Sequence, residues 1–512
     1  MAVSCFAHPH RWRSNHILIH DPFKKNSNEE NPHPYISCCN TDGRAVGLRR
    51  QHPRDIEKGL TSVPIVDAAL NGAYDRFYDY RFAGNYALAI GDVSTDIAYW
   101  NGVTGHWSNI YGYSFLDTEG YLADIWEYGY KVIDNSTRVI EDASKLYASS
   151  TDAEKKSLDR DIAEAYALRG FSRLILTNIF GHQIKVNGKD FSDQPGILIS
   201  DKVVGPEDQV KRATVGESYA AIVSDLKNAL TRFTAAGGDR GSKVYLGVAA
   251  VHGLLARTYL YMENWDEAVA SAQAALTAGG VTTLATTPAA YRALYATELS
   301  NNESFFALAI NSTKNFGASS LGTVWSVYCF SPSPKLQKMY KSTDVRTAIM
   351  LRDTTKGSET VPYYRGGKFD NAAKSPAYSS NYMVNAPEMY LIQAEALLQK
   401  GDLDGSRKAL LVVAGRDVSI KAVGDLPQTK DALYSFIKDE RARELFQEGF
   451  RLWDLRRWDE QAEVYAINAP KVEYTYTGYK ISNLVYPIPA DEINAGFGVT
   501  QTPGWSDALP KK

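Results

Sequence analysis

The sequence predicts a mostly α-helical fold, in which tetratricopeptide-like helical hairpins carry long irregular loops. From Ser62 onward, apolar residues recur at spacings of three and four, as on the buried face of a helix. Long segments between these helices are rich in Gly, Asn, Ser, Thr and Tyr: residues 81–121, 181–213, 278–330 and 353–386. Such long segments in a compact protein are usually functional, so we expect helices as scaffold and loops as working surface.

The helices of the N-terminal part are predicted one by one. Ser62 and Pro64 begin the first helix, whose buried face carries Val66, Leu70 and Phe77. The same periodicity predicts a helix over residues 122–140, and a third helix is predicted over residues 153–180. A further helix begins at Thr214, which forms a capping-box pattern with Glu217, and ends at Gly237.

Two later segments have a helix–turn–helix pattern. Residues 254–262 are followed by a second helix over 268–276, and residues 389–399 by a second helix up to 413. Small residues such as Ala268 and Ala394 allow the paired helices to approach closely. The 34-residue period of regular tetratricopeptide repeats is absent, so we expect imperfect hairpins within a larger fold.

Composition excludes several classes of protein. The chain has 512 residues, with 56 Lys and Arg against 59 Asp and Glu, and this near-neutral balance argues against a nucleic-acid-binding protein. No apolar run is long enough to span a bilayer as a helix. Four cysteines do not form a disulfide framework. The excess is aromatic, with 32 Tyr, 9 Trp and 18 Phe, which favours surfaces that stack on ligands.

The first 58 residues differ from the rest, with six of the nine histidines and three of the four cysteines. A zinc site of His33, Cys38, Cys39 and His52 is disfavoured by the adjacent cysteines and the absence of metal-ligand spacing. We predict an atypical leader, either disordered or a mis-annotated start. Ala2-Val3-Ser4-Cys5 loosely resembles the end of a lipoprotein signal, but the charged and apolar regions that precede such a cysteine are missing. Residues 59–512 are predicted as one domain, with an N-terminal part over 59–240 and a C-terminal part over 241–512.

The C-terminal third carries a recognisable set of motifs. Residues 437–458 contain the pattern ER..EL..EG.R..DL.RW, and residues 386–396 resemble a helix of the form R.aE.YLi.AEA. Residues 486–493 and 501–505 look like the closing motifs PIP..EI and QNPGY. In this order, the set resembles the SusD/RagB family, the outer-membrane glycan-binding lipoproteins of Bacteroidota. The resemblance covers residues 62–512, although Ala386-Pro387 replace the arginine before Glu388 and His182-Gln183-Ile184 replace the usual proline segment.

The resemblance implies a non-catalytic protein of polysaccharide utilization. It implies capture of an oligosaccharide or polysaccharide at the cell outer membrane, by a surface-exposed lipoprotein, and delivery to a TonB-dependent SusC-like transporter. No cofactor, metal or nucleic-acid partner is implied, and membrane contact is expected only through a lipid anchor. The alternatives are a helical-repeat scaffold that binds a peptide or protein, and a carbohydrate-active enzyme.

Candidate ligand-binding residues lie in two aromatic loop clusters. Sugars present C–H faces that stack on aromatic rings, and hydroxyl groups that pair with amides and carboxylates. In the resembled family, loops of these two regions build the glycan site. The candidates are Asp96, Tyr99, Trp100, Asn101, Trp107, Trp325 and Tyr328. We expect at least one ring of the first cluster to contact the ligand.

No catalytic residues are predicted. Glu440, Glu444 and Glu448 lie at helical spacing of four among several arginines. Glycosidase carboxylates flank a substrate about 5–10 Å apart, usually from separate elements, so this row is expected to form structural ion pairs. No nucleophile elbow, phosphate-binding loop or metal motif occurs.

Overall fold

The structure is a computed structural model that describes residues 59–205, 208–355, 362–467, 471–480 and 484–511. The predicted leader, residues 1–58, lies outside the described residues. In the described part, one hydrophobic core extends from Val66 to Val499 and so joins both halves of the chain. The division into a leader and a single domain over 59–512 stays a prediction.

Helices dominate the described residues. In chain order they are α1 (Val63–Tyr78), α2 (Tyr86–Ala89), α3 (Ser108–Tyr111), α4 (Gly120–Leu146), α5 (Asp152–Phe180), α6 (Val215–Ala236), α7 (Val248–Tyr261), α8 (Trp265–Gly279), α9 (Pro288–Ala293), α10 (Leu321–Val324), α11 (Pro334–Met339), α12 (Ala386–Gln399), α13 (Leu403–Ala414), α14 (Lys430–Leu445), α15 (Arg451–Arg457) and α16 (Ala490–Asn494). The predicted mostly α-helical fold is therefore confirmed, and the predicted N-terminal helices correspond to α1, α4, α5 and α6.

The strands are short and pair in twos. They are β1 (Ala98–Trp100), β2 (Lys185–Val186), β3 (Lys189–Asp190), β4 (Pro195–Leu198), β5 (Arg212–Thr214), β6 (Ser304–Leu308), β7 (Phe330–Pro332), β8 (Met350–Asp353), β9 (Tyr363–Gly366), β10 (Asn381–Asn385), β11 (Gln461–Tyr465) and β12 (Tyr474–Lys480). The antiparallel pairs are β1–β7, β2–β3, β4–β5, β6–β10, β8–β9 and β11–β12. Most of them fall in the segments that the sequence predicts as long loops.

Helix α5 is central to the N-terminal part, since it packs against α1, α4 and α6. Its second half is buried on nearly every side, which explains why its apolar residues do not form a single stripe. The ends of α5 and α6 follow sequence rules: Thr151 and Thr214 each form a capping box, and Gly237 ends α6 at a φ of 81°.

The two predicted hairpins are present. Helix α7 packs on α8, and α12 packs on α13. Helix α8 also packs on α12, so the two hairpins stack although 106 residues of chain separate α8 from α12. Arg257 of α7 supports this arrangement, because its guanidinium donates to the Glu388 carboxylate of α12 at 2.6 and 2.7 Å.

The acidic row on α14 forms structural ion pairs. Glu440 pairs with Arg346 and Arg443, and Glu444 also accepts from Arg346. Glu448, just beyond the helix, pairs with Lys368 at 2.5 Å. Every one of these carboxylates is engaged by a cation from the same or another element, as the sequence analysis expected.

The segment after α14 holds the loop that leads to β1. The Asp92 carboxylate accepts from the backbone N–H groups of Gly449 and Arg451 at 3.0 and 3.1 Å. Gly91 lies so close to Gly449 that a Cβ on Gly91 would stand 2.1 Å from the Gly449 carbonyl oxygen. The most recognisable motif of the sequence thus fixes the start of the first aromatic loop.

Candidate glycan-binding site

The structure brings the two predicted aromatic loops together. Strands β1 and β7 pair antiparallel, with Trp100 opposite Phe330. The Trp100 indole N–H donates to the backbone oxygen of Tyr328 at 3.1 Å. Residues about 230 positions apart therefore form one structural unit.

The tryptophans of this unit are buried supports. Trp100 is 4% exposed, and its ring lies parallel to that of Phe330 with centroids 5.9 Å apart. Trp325 is 1% exposed and contacts the rings of Phe330 and Phe446. Both were predicted to contact the ligand, but they are buried between the two loops and the core, where neither ring offers an exposed stacking face.

Three other predicted residues have internal partners. Tyr99 is buried and packs edge-on against Tyr465. The side-chain oxygen of Asn101 accepts from the backbone N–H of Val103 at 3.1 Å, which closes a turn. Asp96 is fully buried and ion-paired, so its carboxylate is not available to a sugar hydroxyl.

Trp107 is buried beneath an exposed group of rings. It is 1% exposed and stacks on Tyr121, with centroids 4.1 Å apart and an interplanar angle of 10°. Tyr86 lies edge-on to both rings, at 5.5 Å from Trp107 and 4.8 Å from Tyr121. Trp107 therefore fixes the positions of two tyrosines that are themselves half-exposed.

Tyr328 is the one predicted site residue with a partly exposed side chain. Its ring stacks on exposed His106 at a centroid distance of 3.9 Å and an angle of 19°. We call Tyr80, Tyr86, Tyr121, Tyr328 and His106 the tyrosine surface. Tyr80 joins it through an edge contact with Tyr86 at 5.4 Å.

The hydroxyl groups of this surface lie close enough to influence one another. Burial raises the pKa of Tyr86, and the neighbouring Tyr121, Asp124 and Tyr328 add to the rise. Burial likewise raises the pKa of Tyr121, with a contribution from Tyr328. Tyr328, from the second loop, therefore faces the same region as tyrosines from α2 and α4.

Asp124 is the carboxylate of this region, one helical turn after Tyr121 on α4. Its side chain is half-buried, and burial raises its pKa to about 6 against the opposing charge of Arg81. Among the residues that the structure describes, no donor forms a hydrogen bond with this carboxylate. Arg81 is already engaged, since it donates two 2.9 Å bonds to Asp79.

Sequence reasoning missed Tyr80, Tyr86, Tyr121 and Asp124. Tyr86 and Tyr121 lie in the predicted loop segment 81–121, but outside its stretch from Asp96 to Trp107 that supplied the first candidates. Tyr80 and Asp124 lie just outside the two ends of that segment. For Tyr121 and Asp124, the sequence signal was a polar and aromatic start to a helix that is otherwise apolar on its buried face.

The arrangement offers stacking faces, phenol hydroxyls and one carboxylate within a single surface. These are the groups that contact the C–H faces and hydroxyls of sugars. In the described ranges no group of three His, Cys, Asp or Glu side chains could hold a metal ion. None of the described helices is both long enough and apolar enough to cross a membrane.

Comparison with known proteins agrees with this fold. Residues 352–505 match the model of the SusD family, and residues 51–260 match a family described as starch-binding associating with outer membrane. The two matches cover separate parts of the chain. The chain belongs to the SusD/RagB family.

Solved structures show the same fold. A SusD superfamily protein from Bacteroides thetaiotaomicron is 23% identical with a TM-score of 0.76, over 86% of this chain and 100% of its own. A putative sugar binding protein from Bacteroides vulgatus is 24% identical with a TM-score of 0.76, over 88% of this chain and 100% of its own. A second Bacteroides vulgatus protein of the superfamily is 23% identical with a TM-score of 0.74, over 87% of this chain and 99% of its own. Among curated proteins, no sequence matches this chain.

Proposed function

We propose that the protein binds an oligosaccharide or polysaccharide at the outer membrane without cleaving it. The tyrosine surface is the observation that carries this proposal, because it joins half-exposed rings from three segments around an unpaired carboxylate. Membership of a family that includes proteins described as starch-binding supports the same ligand class. A pre-formed aromatic surface loses little conformational entropy on binding, which suits a repetitive polymer.

Within this proposal, Tyr328 contacts the ligand and Trp100, Trp107 and Trp325 hold the surface in shape. The buried residues beneath this surface fix β1 and the turn after it; they are Asp96, Tyr99 and Asn101. The role of the predicted tryptophans is thereby changed from direct stacking to support.

The non-catalytic part of the proposal rests on the acidic residues. Glu440 and Glu444 are buried and engaged in ion pairs with Arg346. Incubation of the protein with each bound polysaccharide, followed by measurement of reducing ends, is expected to show no release of product. Product release that disappears in a carboxylate variant of the tyrosine surface would contradict this part.

Delivery of the captured glycan to a TonB-dependent SusC-like transporter completes the proposal. Family membership supports it, and the test is co-purification of the full chain with such a transporter from the outer membrane. A complex that survives purification is expected. Recovery of the protein without any transporter, under conditions where the transporter is present, would contradict it.

Affinity electrophoresis of the full chain against a panel of polysaccharides tests the binding itself. We expect retardation by at least one glycan, and its loss in Tyr121→Ala. Tyr166→Ala is the matched control, because Tyr166 is a half-exposed tyrosine on α5 outside the tyrosine surface. Binding of peptides without binding of any glycan would instead favour the peptide-binding scaffold.

A further inference from the structure

The charges around the tyrosine surface are predominantly negative. The charged groups that act most strongly on Asp124 are Arg81, Glu127, Asp79 and Lys131. Glu119 adds a further carboxylate beside Tyr121. Asp124, Glu127, Asp79 and Glu119 thus make four carboxylates against two cations.

Both cations are already neutralised by partners. Arg81 pairs with Asp79 at 2.9 Å, and its guanidinium also lies 3.9 Å from the centre of the Tyr128 ring. Lys131 pairs with Glu127 at 2.6 Å, one turn along α4. Because each cation balances one carboxylate, these six groups together carry a net charge of −2.

Asp124 remains as a carboxylate that forms no ion pair with the described residues. Its pKa of about 6 means that the carboxylate is ionised at neutral pH, and no described residue donates to it. An ionised carboxylate only accepts hydrogen bonds, so it is satisfied by hydroxyl donors. A carboxylate or sulfate brought next to it offers no donor and adds like-charge repulsion in a partly desolvated place.

Two other cations lie near tyrosines that are not part of the tyrosine surface. Lys314 is paired with Asp75 and lies over the Tyr78 ring, and Arg76 acts on Tyr128. Neither is among the charges that act most strongly on Asp124. They therefore leave the negative character of the ligand-facing carboxylate unchanged.

From this arrangement we infer that the site selects uncharged glycans with free hydroxyl groups and rejects glycans that carry uronate or sulfate. The inference rests on the proposed function, since it concerns the ligand class of the same surface. Asp124 is the residue that discriminates: it accepts hydrogen bonds from sugar hydroxyls and repels acidic sugars.

The test uses matched pairs of polysaccharides with the full chain in affinity electrophoresis at neutral pH. The neutral members are amylopectin, xyloglucan, galactomannan and arabinogalactan, each paired with its derivative oxidised to carboxylate at primary hydroxyls. Polygalacturonate is paired with its carboxyl-reduced form, and chondroitin sulfate is included as a sulfated polymer. We expect at least one uncharged polymer to bind, and its acidic counterpart to bind at least tenfold more weakly.

Variants at Asp124 separate charge from shape. Asp124→Asn removes the charge at nearly constant volume. We expect this variant to bind the uncharged polymer more weakly. We also expect the ratio of its affinities for the neutral and the acidic polymer of a pair to be severalfold smaller than in the wild type. Asp134→Asn, a paired carboxylate further along α4, is the matched control and is expected to keep the wild-type ratio. Thermal unfolding of each variant shows that the fold is retained.

The outcomes are distinguishable. Preference for acidic polymers, or a neutral-to-acidic ratio that Asp124→Asn leaves unchanged, would overturn the inference and leave glycan binding standing. Absence of binding to every polymer, charged or not, would overturn the inference together with the proposed function.

Discussion

The guanidinium of Arg451 donates two 2.8 Å hydrogen bonds to the carboxylate of Asp96, across 355 residues of sequence. Arg451 belongs to the motif by which the sequence resembles its family, and Asp96 lies just before β1. Lys335 donates to the same carboxylate at 2.8 Å. The ion pair therefore connects the C-terminal motif with the strand that carries Trp100 and holds the first aromatic loop in place.

Asp96→Asn is expected to destabilise the protein by about 3–5 kcal/mol, because it leaves the buried Arg451 charge without its partner. Denaturant unfolding measures this loss. Asp193→Asn, outside this ion pair, is a suitable control and is expected to change stability by less than about 0.5 kcal/mol. Equal stability of both variants would contradict a structural role for Asp96.

The same ion pair predicts sensitivity to acid. Burial alone would raise the pKa of Asp96, but the charges of Arg451 and Lys335 outweigh it and hold the pKa well below its ordinary value of 3.8. A depressed pKa in the folded state contributes stability that is complete above the ordinary pKa and is lost as the pH falls below it. Unfolding curves measured from pH 6 to pH 2 test this. Below about pH 4, we expect the denaturant concentration at the midpoint of unfolding to decrease more steeply for the wild type than for Asp96→Asn.

Trp100→Ala is expected to lower the free energy of unfolding by about 3–5 kcal/mol, as for other buried tryptophans replaced by alanine. Loss of glycan binding in this variant would then follow from disorder of the loops. Trp100→Phe keeps much of the stacking on Phe330 and is expected to restore most of the stability and the binding. Unchanged stability of Trp100→Ala together with lost binding would contradict the supporting role and return Trp100 to direct ligand contact.

Tyr328→Ala is expected to weaken glycan binding at least tenfold, with a loss of stability below about 1.5 kcal/mol, since its ring is partly exposed. Isothermal titration and thermal unfolding on the same sample measure both quantities. A large loss of stability with unchanged binding would exclude Tyr328 from the ligand surface.

The affinity for an uncharged glycan is expected to rise by about fivefold as the pH rises from 5 to 7.5. The reason is that a hydrogen bond to a charged acceptor contributes roughly 1 kcal/mol more than a hydrogen bond to a neutral one. The transition should centre near pH 6, where Asp124 titrates beside Arg81, Lys131, Asp79, Glu127 and Tyr86. Asp124→Asn should give a flat profile. A wild-type profile that persists in this variant would assign the pH dependence to another group.

The helices could be predicted from the sequence because their signals are local. The capping boxes at Thr151 and Thr214 and the apolar stripes of α1 and α4 depend only on neighbours a few positions away. Each of the two hairpins follows from the same periodicity together with small residues where its helices cross, whereas the stacking of one hairpin on the other was not predicted.

The tyrosine surface could be predicted only in part. Convergence of the loops around Trp100 and Tyr328 was expected from the family resemblance, but the burial of Trp100 depends on its pairing with Phe330 in β7. Tyr121 and Asp124 face Tyr86 only because α4 packs beside the segment after α1. No local pattern distinguishes a ring that supports such a surface from a ring that forms it.

The most direct test of the central claim compares glycan affinity in Tyr121→Ala, Tyr166→Ala and the wild type, by titration with the polysaccharide that retards the wild type most. We expect at least a tenfold loss of affinity for Tyr121→Ala and no change for Tyr166→Ala, with all three proteins unfolding at similar temperatures. Wild-type affinity in Tyr121→Ala would contradict the claim that the tyrosine surface binds the glycan.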